Sequence, residues 1–215
     1  MSKKYIVRMD DYVINQINKT SIRSKIDLIK LLHTIIQPLI SVEFDQYNIG
    51  RINEKCIIIV VSKMNRIFIN TDINRKVSFA FPFKVEVKEN RIIFETQKYN
   101  IIIDHHILVL MSNVIREYEN RGNKTIYDVI ESEVENEFMQ SVLIHLFEEL
   151  LEIEDGYLRY DRDVDNQKDD YHPLFHIDIN YSEKGTFKIG YRNEKSIENI
   201  MRLVDRNEKC SYFQD

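Results

Sequence analysis

Near the C-terminus, six residues have the types and spacing for acid–base work on a phosphate ester: Arg159, Asp161, His172, His176, Asp178 and Lys188. An extended strand sends alternate side chains to opposite faces. In Phe175-His176-Ile177-Asp178-Ile179-Asn180-Tyr181 the apolar residues therefore share one face, and His176, Asp178 and Asn180 share the other. Leu158-Arg159-Tyr160-Asp161 alternates in the same way, as does Phe187-Lys188-Ile189-Gly190-Tyr191. If the three segments pair, their polar faces form one cluster. A histidine beside a carboxylate can act as a general acid or base near neutral pH, and Arg and Lys can hold a phosphate. The chemistry implied is metal-independent RNA cleavage. His176 or His172 would be the acid/base, Asp178 or Asp161 would orient it, and Arg159 and Lys188 would bind phosphate. The competing reading is a solvated outer sheet face, the usual arrangement for antiparallel sheets, with cross-strand ion pairs worth about a few tenths of a kcal/mol each.

The turn between the last two strands sets their register. A three-residue loop Glu183-Lys184-Gly185, with Gly185 at positive φ, pairs Tyr181 with Phe187, Ile179 with Ile189, Ile177 with Tyr191 and His176 with Arg192, keeping one face apolar. Pro173 keeps His172 out of a helix, so the His172/His176 spacing is not the i,i+4 pair of a helical metal site. No metal and no cofactor are expected. Asp161-x-Asp163-x-Asp165 begins like a calcium loop, but Asn166 stands where Gly belongs and His172 where a bidentate Glu belongs. The acidic run from Glu148 to Asp170 reads as a solvated charge run, and His33, His105, His106 and His145 read as structural residues of helices. Gly-rich phosphate loops and Gly-x-Ser-x-Gly elbows do not occur, which excludes P-loop nucleotide hydrolysis.

The elements that position the cluster follow from periodicity. Ser21 caps a helix running to Gln37 and ended by Pro38, with Ile26, Ile29, Leu32 and Ile36 on its inner stripe. From Cys56 to Ile103 short Ile-, Val- and Phe-rich runs alternate with polar turns, an antiparallel meander. The unbroken run Cys56 to Val61 suits an inner strand covered on both faces. Ile107, Met111, Val114, Ile115 and Tyr118 mark a helix stopped at Arg121-Gly122-Asn123. A second helical stretch starts at Thr125, with a break near Glu131 to Glu135, and reaches Ile153. Three short strands and a helix from Glu194 to Val204 close the chain. The fold class is α+β: a meander over about 56–103 with N-terminal and central helices, plus a C-terminal three-stranded sheet and helix. We read residues 1–215 as a single domain with two β-rich lobes, about 1–153 and 154–215.

Composition bounds the function. With 215 residues, 12 Tyr, 11 Phe, five Gly and three Pro, the chain can bury a real core. A net charge of −5 argues against a broad nucleic-acid footprint. The longest apolar run is far shorter than the roughly 18 residues a membrane span needs, and the charged N-terminus lacks an apolar stretch behind it, so a cytoplasmic protein is expected, with no membrane association. Cys56 and Cys210 read as ordinary thiols. A single Ala against 33 Ile and 18 Asn fits the codon usage of a low-GC bacterium.

Leu158-Arg159-Tyr160-Asp161, a gap, then His172-Pro173-x-x-His176, a strand and a short helix resembles the core of uncharacterised bacterial families that include small proteins of toxin-antitoxin pairs and defence-island accessory proteins. Those families carry a further His immediately after the strand-entering one or two residues on, and at the later position this chain has Asp178. The resemblance implies a protein-binding component of a bacterial defence or toxin-antitoxin module, its protein partner encoded nearby. The alternative is the ribonuclease-like toxin, with RNA as substrate.

Overall fold

The computed structural model describes residues 3–41, 51–52, 54–63, 65–72, 74–122, 124–205 and 208–209; Asn123 and Cys210 lie outside them. In chain order the elements are β1 (Lys3–Arg8), α1 (Asp11–Lys19), α2 (Lys25–Leu39), β2 (Cys56–Val61), β3 (Arg66–Asn70), β4 (Arg75–Ala80), β5 (Phe83–Lys88) and β6 (Arg91–Thr96). There follow α3 (His105–Arg121), α4 (Ile126–Glu133), α5 (Glu137–Glu152), β7 (Leu158–Arg162), β8 (Phe175–Ile179), β9 (Phe187–Tyr191) and α6 (Ile197–Val204). The class is α+β. A seven-stranded antiparallel sheet runs β1-β2-β3-β4-β7-β8-β9, and β5 and β6 form a separate hairpin. The meander expected to reach Ile103 thus leaves the large sheet after Ala80. There Phe81 meets Phe83 and Phe94 edge-on, with centroids 5.5 and 5.4 Å away, where the hairpin folds away. Because β7 pairs with β4, the three C-terminal strands continue the same sheet.

Local signals account for most element ends. Helix α2 begins at Ser24, not Ser21, because the Ser24 hydroxyl and the Asp27 carboxylate cap each other's backbone N–H groups. It also runs past Pro38 to Leu39. The inner stripe is buried at Ile29, Leu32 and Ile36, in the same apolar cluster as Leu143 of α5. Thr125 and Asp128 form the capping box of α4, and Gly122 ends α3 in the left-handed conformation. Strand β1 and helix α1 have no counterpart among the sequence expectations.

The sheet is covered on both faces. Ile57 and Ile59 of β2 point into the main core with α1 to α5, while Cys56 and Ile58 point the other way, against Phe68 and against Ile197 and Met201 of α6. Burial pushes the Cys56 thiol up to about 12, so it is inert at neutral pH. Helix α6 also covers Tyr160 and Ile177. On the core side, the ladder aligns Val7, Ile57, Ile69, Val77, Arg159, Asp178 and Lys188 in one row across all seven strands. Four apolar residues under the helices give way to three charged ones.

Ile58 lies wholly inside the α6 layer. Ile58→Ala should cost about 2–5 kcal/mol in denaturant unfolding, whereas Val109→Ala, on an exposed position of α3, should stay within about 0.5 kcal/mol. A loss below about 1 kcal/mol at Ile58 would mean that α6 does not seal this face.

Candidate functional site

Five of the six residues singled out in the sequence share the core-side face of β7, β8 and β9, and the sixth, His172, comes from the segment before β8. Arg159 stands opposite Asp178 and Asp178 opposite Lys188, while Arg75 stands opposite Asp161 and Asp161 opposite His176. The hairpin register differs from expectation by two residues: Ile177 faces Ile189 and Ile179 faces Phe187, so the loop spans seven residues instead of three. A two-residue shift leaves every side chain on its expected face. Two interactions select it. Lys188 Nζ donates to Asp178 Oδ1 at 2.5 Å, and Thr186 Oγ1 donates to the same oxygen at 2.8 Å. Asn180 at φ 64° then turns the chain out of the ladder, and Tyr181 donates its hydroxyl to Asp155 Oδ2 at 2.5 Å instead of pairing with Phe187. Gly185 does lie at positive φ, 144°.

Asp178 is fully buried and its carboxylate is saturated. Besides Lys188 and Thr186, it accepts from Arg159 Nη2. Burial alone would push its pKa up. The hydrogen bonds from Lys188 and Thr186 and the charges of Arg159 and Lys188 outweigh that and hold it below the usual carboxylate value. Asp161 accepts from Arg159 Nε at 2.6 Å and from Arg75 Nε at 3.3 Å. One guanidinium therefore bridges both carboxylates. Burial works against the Arg159 charge, but Asp161 and Asp178 raise its pKa above the ordinary value.

His176 is also fully buried. Its Nδ1 donates to the Pro173 carbonyl at 2.8 Å, which leaves Nε2 as an acceptor facing Lys188 Nζ at 3.2 Å. The nearest carboxylate oxygen, Asp161 Oδ2, is 3.9 Å away, outside hydrogen-bond reach. Neither Asp178 nor Asp161 orients the ring; a backbone carbonyl does. Gly190, opposite His176, makes this possible: a Cβ there would come within 2.7 Å of Pro173 Cγ, so only glycine lets the His172-Pro173 segment lie against β9. His172 packs edge-on against His176 with centroids 4.7 Å apart, and its Nε2 pairs with Asp163 Oδ2 at 3.1 Å. Sequence reasoning missed Arg75, Thr186 and Asp163. Arg75 belongs to the cluster only through the β4–β7 pairing, which joins segments far apart in the chain, and local periodicity carries no trace of it.

Arg75, Arg159 and Lys188 face Asp161 and Asp178, and with a neutral His176 the balance is three cations to two anions. Ligand atoms of Asp161, His176 and Asp178 lie within 4.8 Å of one another, close enough for a metal ion. A metal would first have to displace Lys188, which already lies against both His176 and Asp178. Nor do the carboxylates of the acidic loop converge as a calcium loop requires: Asp161 turns to its arginines, and Asp163 to Asn166 and His172. As it stands, the arrangement neutralises buried charge. Phosphate binding would need Arg159 or Lys188 to leave its carboxylate.

No family model matches this chain, and neither the curated proteins nor the solved structures yield a similar one.

Because the folded-state pKa of Asp178 is depressed, its contribution to stability is present above the unfolded value of about 3.9 and is lost as pH falls through the lower folded value. Asp178→Asn should cost about 3 kcal/mol at pH 7 and flatten the loss of stability below pH ~4. Denaturant melts from pH 7 to pH 2 would measure both; an unchanged acid limb in the variant would show that Asp178 is not the group responsible.

Proposed function

We propose that this chain works by binding a protein partner along the outer edge of β9, and that its His/Asp/Arg/Lys cluster braces that edge without cleaving RNA. The observation that carries this reading is the difference between the two edges of the sheet. An open edge strand invites pairing with another chain, and outward charges, especially lysine, suppress it. Edge strand β1 has three, the exposed Lys3, Lys4 and Arg8. Edge strand β9 has one, Lys188, and its ammonium group is drawn inward onto Asp178. Besides Lys188 and Gly190, β9 offers solvent the apolar Phe187, 82% exposed, beside an edge unpaired among the described residues. An extended segment of a partner can add there as a further strand, with Phe187 as its apolar anchor.

The ribonuclease alternative needs a histidine with a free nitrogen and cations free for phosphate. Both ring nitrogens of His176 are engaged; His172 pairs through Nε2 with Asp163, but the cations that would hold phosphate are committed, Arg159 to two carboxylates and Lys188 to Asp178. That supports binding over cleavage. The setting implied by the C-terminal resemblance, a bacterial defence or toxin-antitoxin module, supplies the class of partner: a protein encoded nearby. Among the described residues no helix is long and apolar enough to cross a membrane.

Co-expression with the products of the flanking genes, followed by size-exclusion chromatography of the purified mixture, tests the proposal. A defined complex should form, and Phe187→Glu should weaken it by about tenfold or more while leaving the fold intact. RNA incubated with the purified protein should remain uncut. No complex with any flanking product, or RNA cleavage that is lost in His176→Ala, would overturn the reading.

A further inference from the structure

Away from the polar cluster, between the end of α6 and the turn joining α5 to β7, the surface opens into a cleft of about 750 Å³, a size typical of small-molecule sites. None of the six candidate residues lines it. Its walls are largely apolar, with Ile153, Tyr157, Leu158, Ile179 and Val204 among them, and at its base lies Arg66 of β3. We propose that this cleft binds a small amphipathic anion, its carboxylate or phosphate held by Arg66 and its apolar body held by those walls.

Arg66 is only 6% exposed, and a charge so buried is normally paired. Here it is not. Its Nε donates to Ser78 Oγ at 2.8 Å and its Nη2 to the Gly156 carbonyl, both neutral acceptors. Among the described residues it forms no ion pair. The other charges on the cleft do not serve it: Lys25 and Asp155 pair with each other at 2.5 Å, Tyr181 also donates to Asp155, and Glu154 is exposed. Burial without a counter-charge pushes the Arg66 pKa down to about 10.

A guanidinium has five N–H donors, and the two bonds to Ser78 and Gly156 leave three. The two on Nη1 are not sealed in the protein, because Asn70 Oδ1 is the only fully buried side-chain polar atom without a partner among the described residues. They open on the cleft that Arg66 lines. Gly156, at φ 49°, keeps the way clear: a Cβ there would stand 3.1 Å from Arg66 Nη1. A guanidinium edge with paired N–H groups matches the oxygens of a carboxylate or phosphate. An anion placed there would supply the missing counter-charge.

Ala80 is the sole alanine of the chain and stands opposite Arg66 in the ladder, so methyl-labelled alanine gives one NMR signal beside the cleft. Full-length protein would be titrated with 2-naphthoate, 2-naphthyl phosphate and the neutral 2-naphthalenemethanol. At least one anion should shift the Ala80 methyl saturably and bind about tenfold or more tightly than the alcohol, and the tighter of the two anions identifies the head group. Arg66→Met should remove that advantage and leave the alcohol unchanged. Val204→Trp, which fills the cleft without touching the Arg66 hydrogen bonds, should weaken anion and alcohol alike and serves if Arg66→Met does not fold. Equal binding of anion and alcohol by the wild type, failure of both anions to bind, or undiminished anion binding in a folded variant would overturn the proposal.

Discussion

A fully buried carboxylate must be neutralised where it stands, and in this protein that burden falls on Asp178, shared between Arg159 on one neighbouring strand and Lys188 on the other. The three residues occupy one row of the sheet, so the ion pairs join β7, β8 and β9 as cross-strand contacts. Removing Arg159 or Lys188 leaves the fully buried Asp178 carboxylate short of a counter-charge. The same constraint decides the register of the last hairpin, because only the observed pairing sets Lys188 directly opposite Asp178.

The row to which they belong explains the architecture. From Val7 to Val77 its residues are apolar and sit under the helices; from Arg159 to Lys188 they are charged and satisfy one another. On the opposite face of these strands α6 covers Tyr160 and Ile177. A single sheet is thus stabilised by two kinds of chemistry, apolar packing under the helices and charge compensation at its C-terminal end. The second leaves a trace at the surface, because a lysine committed inward no longer guards the β9 edge.

Much of this was legible in the sequence, for local reasons. Alternation in the C-terminal segments placed Arg159, Asp161, His176, Asp178 and Lys188 on one face, and alternation survives a register shift of two. The unbroken apolar run of β2 announced burial on both sides, and Thr125 announced the start of α4. What escaped was in part long-range pairing and in part local hydrogen bonds that periodicity does not record. The β4–β7 pairing brings Arg75 to Asp161, Ser24 displaced Ser21 as the cap because Asp27 lies three residues beyond it, and the Pro173 carbonyl took the place expected for a carboxylate beside His176. Arg66 gave no signal at all. Its importance lies in having no ion-pair partner among the described residues, and spacing along the chain cannot express that.

The account rests most heavily on the state of His176, closed into the structure as a neutral ring with its proton on Nδ1. Nitrogen-15 NMR of the imidazole at pH 7 reads this directly. The structure predicts a protonated, pyrrole-type Nδ1 and an unprotonated, pyridine-type Nε2. A proton on Nε2, whether as the other tautomer or as an imidazolium facing Asp161, would instead describe an acid–base dyad and would contradict the reading of this cluster as a brace.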